Sequence, residues 1–285
     1  MSQIIIPHEH CLHSFFCEVA LRKRVVCFAG LPGVGKTLFL QQMVLFAQQA
    51  GRKVHLLQWD VARNAFETPQ NMKLYPEVAG VTHPMIRKAT GLWSRVAVRE
   101  WWERYTAPHM LLVEMPLVGN RFIELVQHLE DQSENILQNE ECLFILPVPT
   151  KKVRETIEDI RAKTTANPRH EREAHDANPE VLRSLWRELF YLALHLKIID
   201  EMPPYDTAYD PNIYQKTFEY LLRHRRVKTI EIDTIFPQEC SAYDVTGIES
   251  EPMASSQVVR DIVSTIQKNY TEEQLHFHVE KWYEV

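Results

Sequence analysis

The sequence predicts an α/β fold: a three-layer, doubly wound sheet of about five mainly parallel strands, with an insertion after the fourth strand and helices at the C-terminal end. Three observations lead there. Short β-branched and aromatic runs alternate with longer stretches in helical apolar rhythm. The first of these runs leads directly through a glycine-rich turn into a helical stretch. A second strand-like run follows closely enough to make the opening a βαβ unit, whose strands are parallel.

Taken in order, a helix is expected from about Glu9 to Arg22, then a first strand from Val25 to Ala29 that ends in glycine. Leu38 to Ala50 is apolar in helical rhythm and stops at Gly51, as a helix closing on glycine does. Lys53 to Trp59 is the second strand. Asn64 to Val81 reads as irregular, and Pro84 opens a long helix through Trp102, with Trp93 and Trp101 on its core side. His109 to Glu114 is the third strand, Asn120 to Ser133 a helix, Glu134 to Glu141 a polar connection and Cys142 to Pro147 the fourth strand. A basic, proline-marked segment, 149–179, precedes helices at Pro179 to Leu196 and near Pro211 to His224. Val227 to Ile232 is the fifth strand. Phe236 to Ser256 reads as loop, and Gln257 to Val285 as one or two amphipathic helices. The division expected is a main α/β domain over 1–235 with a C-terminal loop and helical tail, 236–285, packed on it.

Composition narrows the class. With 285 residues, 45% of them apolar and 25% charged, the chain can bury a large core. A formal net charge of −6 argues against long duplex nucleic acid as a partner and against an anionic membrane. Neither a signal-like leader nor a membrane-length apolar run is legible, so a cytoplasmic protein is expected. The five cysteines, Cys11, Cys17, Cys27, Cys142 and Cys240, lack a CxxC spacing and read as free thiols. His8, His10 and His13 with Cys11 and Cys17 match no zinc spacing and are assigned to an exposed N-terminal helix. The segment His170 to His175 (HEREAH) departs from HExxH by one position and is read as solvent-facing.

The strongest signal is Gly30-Leu31-Pro32-Gly33-Val34-Gly35-Lys36-Thr37, which fits GxxxxGK[ST] without departure and runs into Leu38 at the helix start. Glycines there let successive backbone N–H groups turn inward onto phosphate oxygens, and the helix that follows adds its positive end. Lys36 is then placed to neutralise β and γ phosphates, and the Thr37 hydroxyl to hold Mg²⁺. ATP is favoured over GTP because no NKxD guanine signature occurs.

On this motif and the strands around it, the chain resembles the P-loop NTPase superfamily, and within it the small-molecule, nucleoside and nucleotide kinases, including polynucleotide-kinase-like members. The motif match covers about residues 24–50 and the kinase-like layout about 24–235. The resemblance implies Mg·ATP as cofactor and a small-molecule or nucleotide acceptor. It implies that Asp60, at the end of the second strand, orients the acceptor hydroxyl and takes its proton, with Arg63 three residues on to tether the acceptor. Glu114 falls where a Walker B acid handles magnesium, although Met115-Pro116 follow it in place of a second acid. The basic segment after the fourth strand, about 149–179, corresponds to a mobile lid whose Arg154 and Arg161 stabilise transferred charge. Arg121 at a helix start, and Arg95 with Arg99 one turn apart, are further candidates for acceptor binding. Catalysis is thus expected to rest on Lys36, Asp60, Glu114, Arg154 and Arg161. The alternative is a nucleotide-dependent switch or regulatory ATPase that acts through a protein partner and uses the C-terminal helices as its moving part. The acceptor is not legible from the sequence, and the oligomeric state is left open, a homodimer included.

Overall fold

The computed structural model describes residues 3–78 and 80–284. Met1 and Ser2 of the N-terminal stretch, Ala79 of the irregular segment and Val285 of the tail lie outside the described residues. In chain order the elements are α1 (Cys11–Arg22), β1 (Val25–Ala29), α2 (Lys36–Gln49), β2 (Lys53–Gln58), α3 (Trp59–Ala62), α4 (Pro69–Leu74), α5 (Pro84–Arg104), β3 (His109–Met115), α6 (Gln132–Leu137), β4 (Cys142–Pro149), α7 (Lys151–Ala166), α8 (Pro179–His195), α9 (Pro211–Leu221), β5 (Val227–Ile232), β6 (Ile248–Ser250), α10 (Ser256–Asn269) and α11 (Glu272–Glu280). Short 3-10 turns occur at Arg63–Ala65, Ile123–Leu125 and Glu171–His175.

The strands form one sheet in the order β5-β4-β1-β3-β2-β6, and every neighbouring pair is parallel. All five residues of β1 are buried. Val25, Cys27 and Ala29 join the core on one face of the sheet, while Val26 and Phe28 join the core on the other, the two-residue alternation of a strand covered on both sides. Helices α5, α8, α9, α10 and α11 contribute to the first core, α1, α2 and Val153 of α7 to the second. Local chemistry sets the helix starts: Thr150, Asn178, Asp210 and Ser255 cap α7, α8, α9 and α10 through their side chains, and Thr271 with Gln274 makes a capping box on α11.

The sheet has six strands where about five were expected. The additional strand, β6, lies within the 236–256 segment read as loop, and pairs with β2 through Val54 and His55. Its three residues are too short for periodicity to reveal. Amides of α2 secure the approach to it: Gln41 donates to Ser241 O and Asp244 O, and Gln48 to Thr246 O and Gly247 O.

The helix expected over Asn120 to Ser133 does not form. Asn120 and Phe122 adopt φ of 59° and 65°, outside helical space, and Leu117 bridges back to Arg121. Only the 3-10 turn and α6 remain, the latter capped by Asp131. Nor is α1 an exposed helix, since Leu12, Phe16, Val19 and Ala20 bury one face, with Phe16 edge-on to Phe39 and Phe46 of α2. Cys11, Cys17, Cys27 and Cys142 are free thiols, Cys27 and Cys142 within the core. Among the described residues no helix is long and apolar enough to cross a membrane.

Candidate functional site

The chain leaves β1 in one direction across the sheet for β2, and leaves β3 in the other for β4, so a crevice opens at the carboxyl ends of β1 and β3. The glycine loop fills that position. Gly33 and Gly35 adopt φ of 78° and 90°, which residues with a Cβ rarely do. Gly35 is also the N-cap of α2 and supplies no side-chain acceptor, so the first amides of that helix are left for another partner. Lys36 is buried, and its ammonium donates to Leu31 O at 2.9 Å, closing the loop on itself. Burial pushes the Lys36 pKa down to about 8 against the pull of Glu114, with Arg161 and Arg154 adding to the depression.

Register carries the next contacts. Glu114 on β3 lies beside Phe28 of β1 and Gln58 of β2. The Thr37 hydroxyl donates to Glu114 Oε1 at 2.8 Å, and the Gln58 amide donates to Oε2 at 2.8 Å. Arg172 in turn reaches Gln58 Oε1 at 3.3 Å. A hydroxyl and a carboxylate converging at the N-terminus of α2 form an oxygen donor pair of the kind a hard divalent cation takes, so Thr37 and Glu114 suit magnesium chemically.

The loop floors a cleft of about 760 Å³, within the range of small-molecule sites. Pro32 to Leu38 line it, whereas Gly30 and Leu31 lie beneath, with Gly30 against the Tyr214 ring. Trp59, Asp60, Arg63 and Arg121 form one wall. Asp60, in the first turn of α3, has an 86% exposed carboxylate 3.9 Å from Arg63 Nε. Arg63 is otherwise held by Glu67 and the Thr82 hydroxyl, each at 2.9 Å. Arg121 makes no side-chain hydrogen bond or ion pair among the described residues; burial lowers its pKa, Asp60 pulls it back and Arg63 depresses it further.

The opposite wall is α7 with residues 173–178. Arg154 and Arg161, seven residues apart on α7, both turn toward the loop, but they differ. Arg154 is 1% exposed, donates to Pro32 O at 2.7 Å and to Glu158 at 3.1 Å, and leaves Nη2 buried without a partner. Arg161 lines the cleft, bonded to Ala177 O and 3.7 Å from Asp176.

Two candidates are not brought to the site. Arg95 is buried in a separate network, donating to Asp131 at 2.7 and 2.6 Å, to Glu134 at 2.9 Å and to Glu124 O at 2.7 Å. Arg225 closes that network on Glu134 at 2.7 Å. Arg99 follows on the same face of α5 and, among the described residues, reaches Gln132 and Glu103. Their shared face is the one turned to α6, away from the carboxyl ends of the strands. The HEREAH segment is largely exposed, as expected, with one exception: Glu173 is buried and accepts from Ser241 Oγ at 2.6 Å, while the exposed Arg172 reaches Gln58 and the exposed His175 lines the cleft.

The apolar part of the cleft was not among the expected site residues: Val153 and Ile157 of α7 line it together with Ile235, Phe236 and Pro237 after β5. The IFP run in an otherwise polar loop was the available signal. Nor were Gln58 and Tyr243 among the expected site residues, and their contacts are long-range: Gln58 donates to Glu114, and Tyr243 donates to Asp176 and stacks on His170. No protein-family model matches the chain, and no curated protein matches it in sequence.

Proposed function

We propose that the chain is an Mg·ATP-dependent phosphotransferase of the P-loop kinase type, moving a γ-phosphoryl group to a hydroxyl of a small molecule, nucleoside or nucleotide. The observation that carries this reading is one arrangement: a GxxxxGK[ST] loop with buried Lys36 and the Thr37–Glu114 pair on the floor of a cleft, and the open carboxylate of Asp60 on its wall. Thr37 and Glu114 would hold magnesium, which when bound supplies charge neutralisation across the phosphates. Lys36 and the open amides of α2 bind the polyphosphate. Asp60 orients the acceptor hydroxyl and accepts its proton, and Arg63 and Arg121 position the acceptor. Arg161, with Arg154 behind it, stabilises charge on the transferred group and, with α7, excludes water. The apolar surface of Val153, Ile157, Ile235 and Phe236 accommodates the base.

A second reading, a nucleotide-dependent switch, draws on the cleft-lining segment 234–243 continuing into β6 and then α10. Incubation with Mg·ATP alone and then with fractionated metabolite pools separates the two. Acceptor-dependent ADP release supports the kinase, slow acceptor-independent release supports the switch, and failure to bind ATP at all removes both.

A further inference from the structure

Outside the cleft, one cluster of side chains joins the C-terminal helices to the start of α5. His83, the N-cap of α5, faces Glu272 and His276 of α11, and one donor atom from each lies within 4.8 Å of the other two. Glu272 and His276 are four apart on one helix and therefore share a face one turn apart. The His83 and His276 rings stand nearly perpendicular, centroids 5.5 Å apart. Around the cluster the packing is ordered: Tyr75 tilts against His83 at 5.1 Å, and its hydroxyl accepts from Gln267 Nε2 of α10 at 2.7 Å.

We propose that His83, Glu272 and His276 form a binding site for a divalent transition metal, zinc foremost, that clamps α11 to the beginning of α5. Two imidazoles and one carboxylate are a borderline donor set, suited to Zn²⁺ or Co²⁺ and poorly suited to Mg²⁺ or Ca²⁺. Bonds of about 2.0–2.1 Å place tetrahedral neighbours roughly 3.3 Å apart. The three donor atoms, now within 4.8 Å of one another, have to draw closer to reach that spacing; Glu272 is exposed and the two imidazoles are half-buried. The fourth position is open to water.

Binding has a structural consequence at His83. Its Nδ1 accepts from Met85 N–H at 3.1 Å, capping α5. A neutral imidazole has one lone-pair nitrogen, so ligation through Nδ1 takes the cap's acceptor, and ligation through Nε2 moves the ring proton onto Nδ1. Either way one capping hydrogen bond is exchanged for one coordinate bond. The segment ending at His83 reaches the cleft through Glu77, Gly80 and Thr82, and Thr82 accepts from Arg63. Metal at this site therefore fixes the anchor of a cleft wall.

The site does not depend on the proposed reaction, and its test uses the full chain stripped with chelator and titrated with Co²⁺ or Zn²⁺. The expected result is a visible tetrahedral Co²⁺ absorption without a thiolate charge-transfer band, a zinc-dependent rise in Tm, and about tenfold or greater weakening of zinc binding in both His276→Gln and His83→Asn. Asn at position 83 retains a capping acceptor, so His83→Asn should match the metal-free Tm of the parent and separate lost ligation from misfolding. Metal binding unchanged in the two variants, a thiolate signature, or no zinc-dependent change in the parent overturns the proposal.

Discussion

Lys36 offers the sharpest test of the glycine loop. Its pKa falls from 10.5 to about 8 on folding, which at about 1.4 kcal/mol per tenfold change means that burying the ammonium costs roughly 3 kcal/mol. Because the folded pKa lies below the unfolded one, this penalty is complete below about pH 8 and is relieved as pH rises toward 10.5. A polyphosphate beside Lys36 reverses the preference, so triphosphate binding should favour the protonated enzyme. With a pKa of about 8, roughly nine-tenths of Lys36 is charged at pH 7 and about one-tenth at pH 9. The dissociation constant of a non-hydrolysable Mg·ATP analogue, measured by calorimetry, is therefore expected to weaken about tenfold between those values. Lys36→Ala should lose a charge-assisted contact of about 3 kcal/mol, on the order of a hundredfold in affinity, and should flatten the pH profile. The ligand-free variant should also melt at or above the parent temperature, since the buried charge is gone. A flat profile in the parent, or a Lys36→Ala protein that binds undiminished, refutes the reasoning and the proposed function with it.

Three further outcomes are expected. Asp60→Asn should leave the affinity for the ATP analogue unchanged while acceptor-dependent turnover falls by about 10²–10⁴; equal turnover would remove Asp60 from the chemistry. Gly33→Ala combines a left-handed φ with a Cβ 2.8 Å from Arg154 Nη1, so a loss of about 1–3 kcal/mol in denaturant unfolding is expected, and an unchanged midpoint would mean the loop does not sit as described. Arg95→Met removes the partner of the part-exposed Asp131 and one of the two arginines on Glu134, leaving Arg225 in place, and should destabilise by about 2–3 kcal/mol without changing KM for the acceptor. A raised KM at constant stability would restore Arg95 to the site. The same network fixes an acid limit: burial raises the Glu134 pKa, but hydrogen bonds from Arg225 and Arg95 outweigh it and hold the carboxyl at about 2. Its contribution is present above the usual carboxylate range near pH 4.5 and is lost as pH falls toward 2.

Much of this architecture follows from short-range pattern. A buried strand such as β1 declares itself by unbroken β-branched and aromatic residues, and the glycine loop by residue types that only one backbone path requires; both are local properties, so five strands and the loop were legible before any coordinates. Glu114 could be placed at a strand end for the same reason. Its partners could not, because Gln58 and Thr37 meet it through parallel register between β1, β2 and β3, a relation between segments distant in the chain. Charge pattern misled for a related reason: Arg95 and Arg99 share a face, but whether that face meets the cleft or α6 depends on how α5 docks. The short β6 owes its position to two glutamines nearly two hundred residues earlier, and the triad of His83, Glu272 and His276 owes its existence to the folding back of α11 onto α5. Local propensity thus decided which segments became strands, loop and helices, while the packing of helices on both faces of the sheet decided which side chains met.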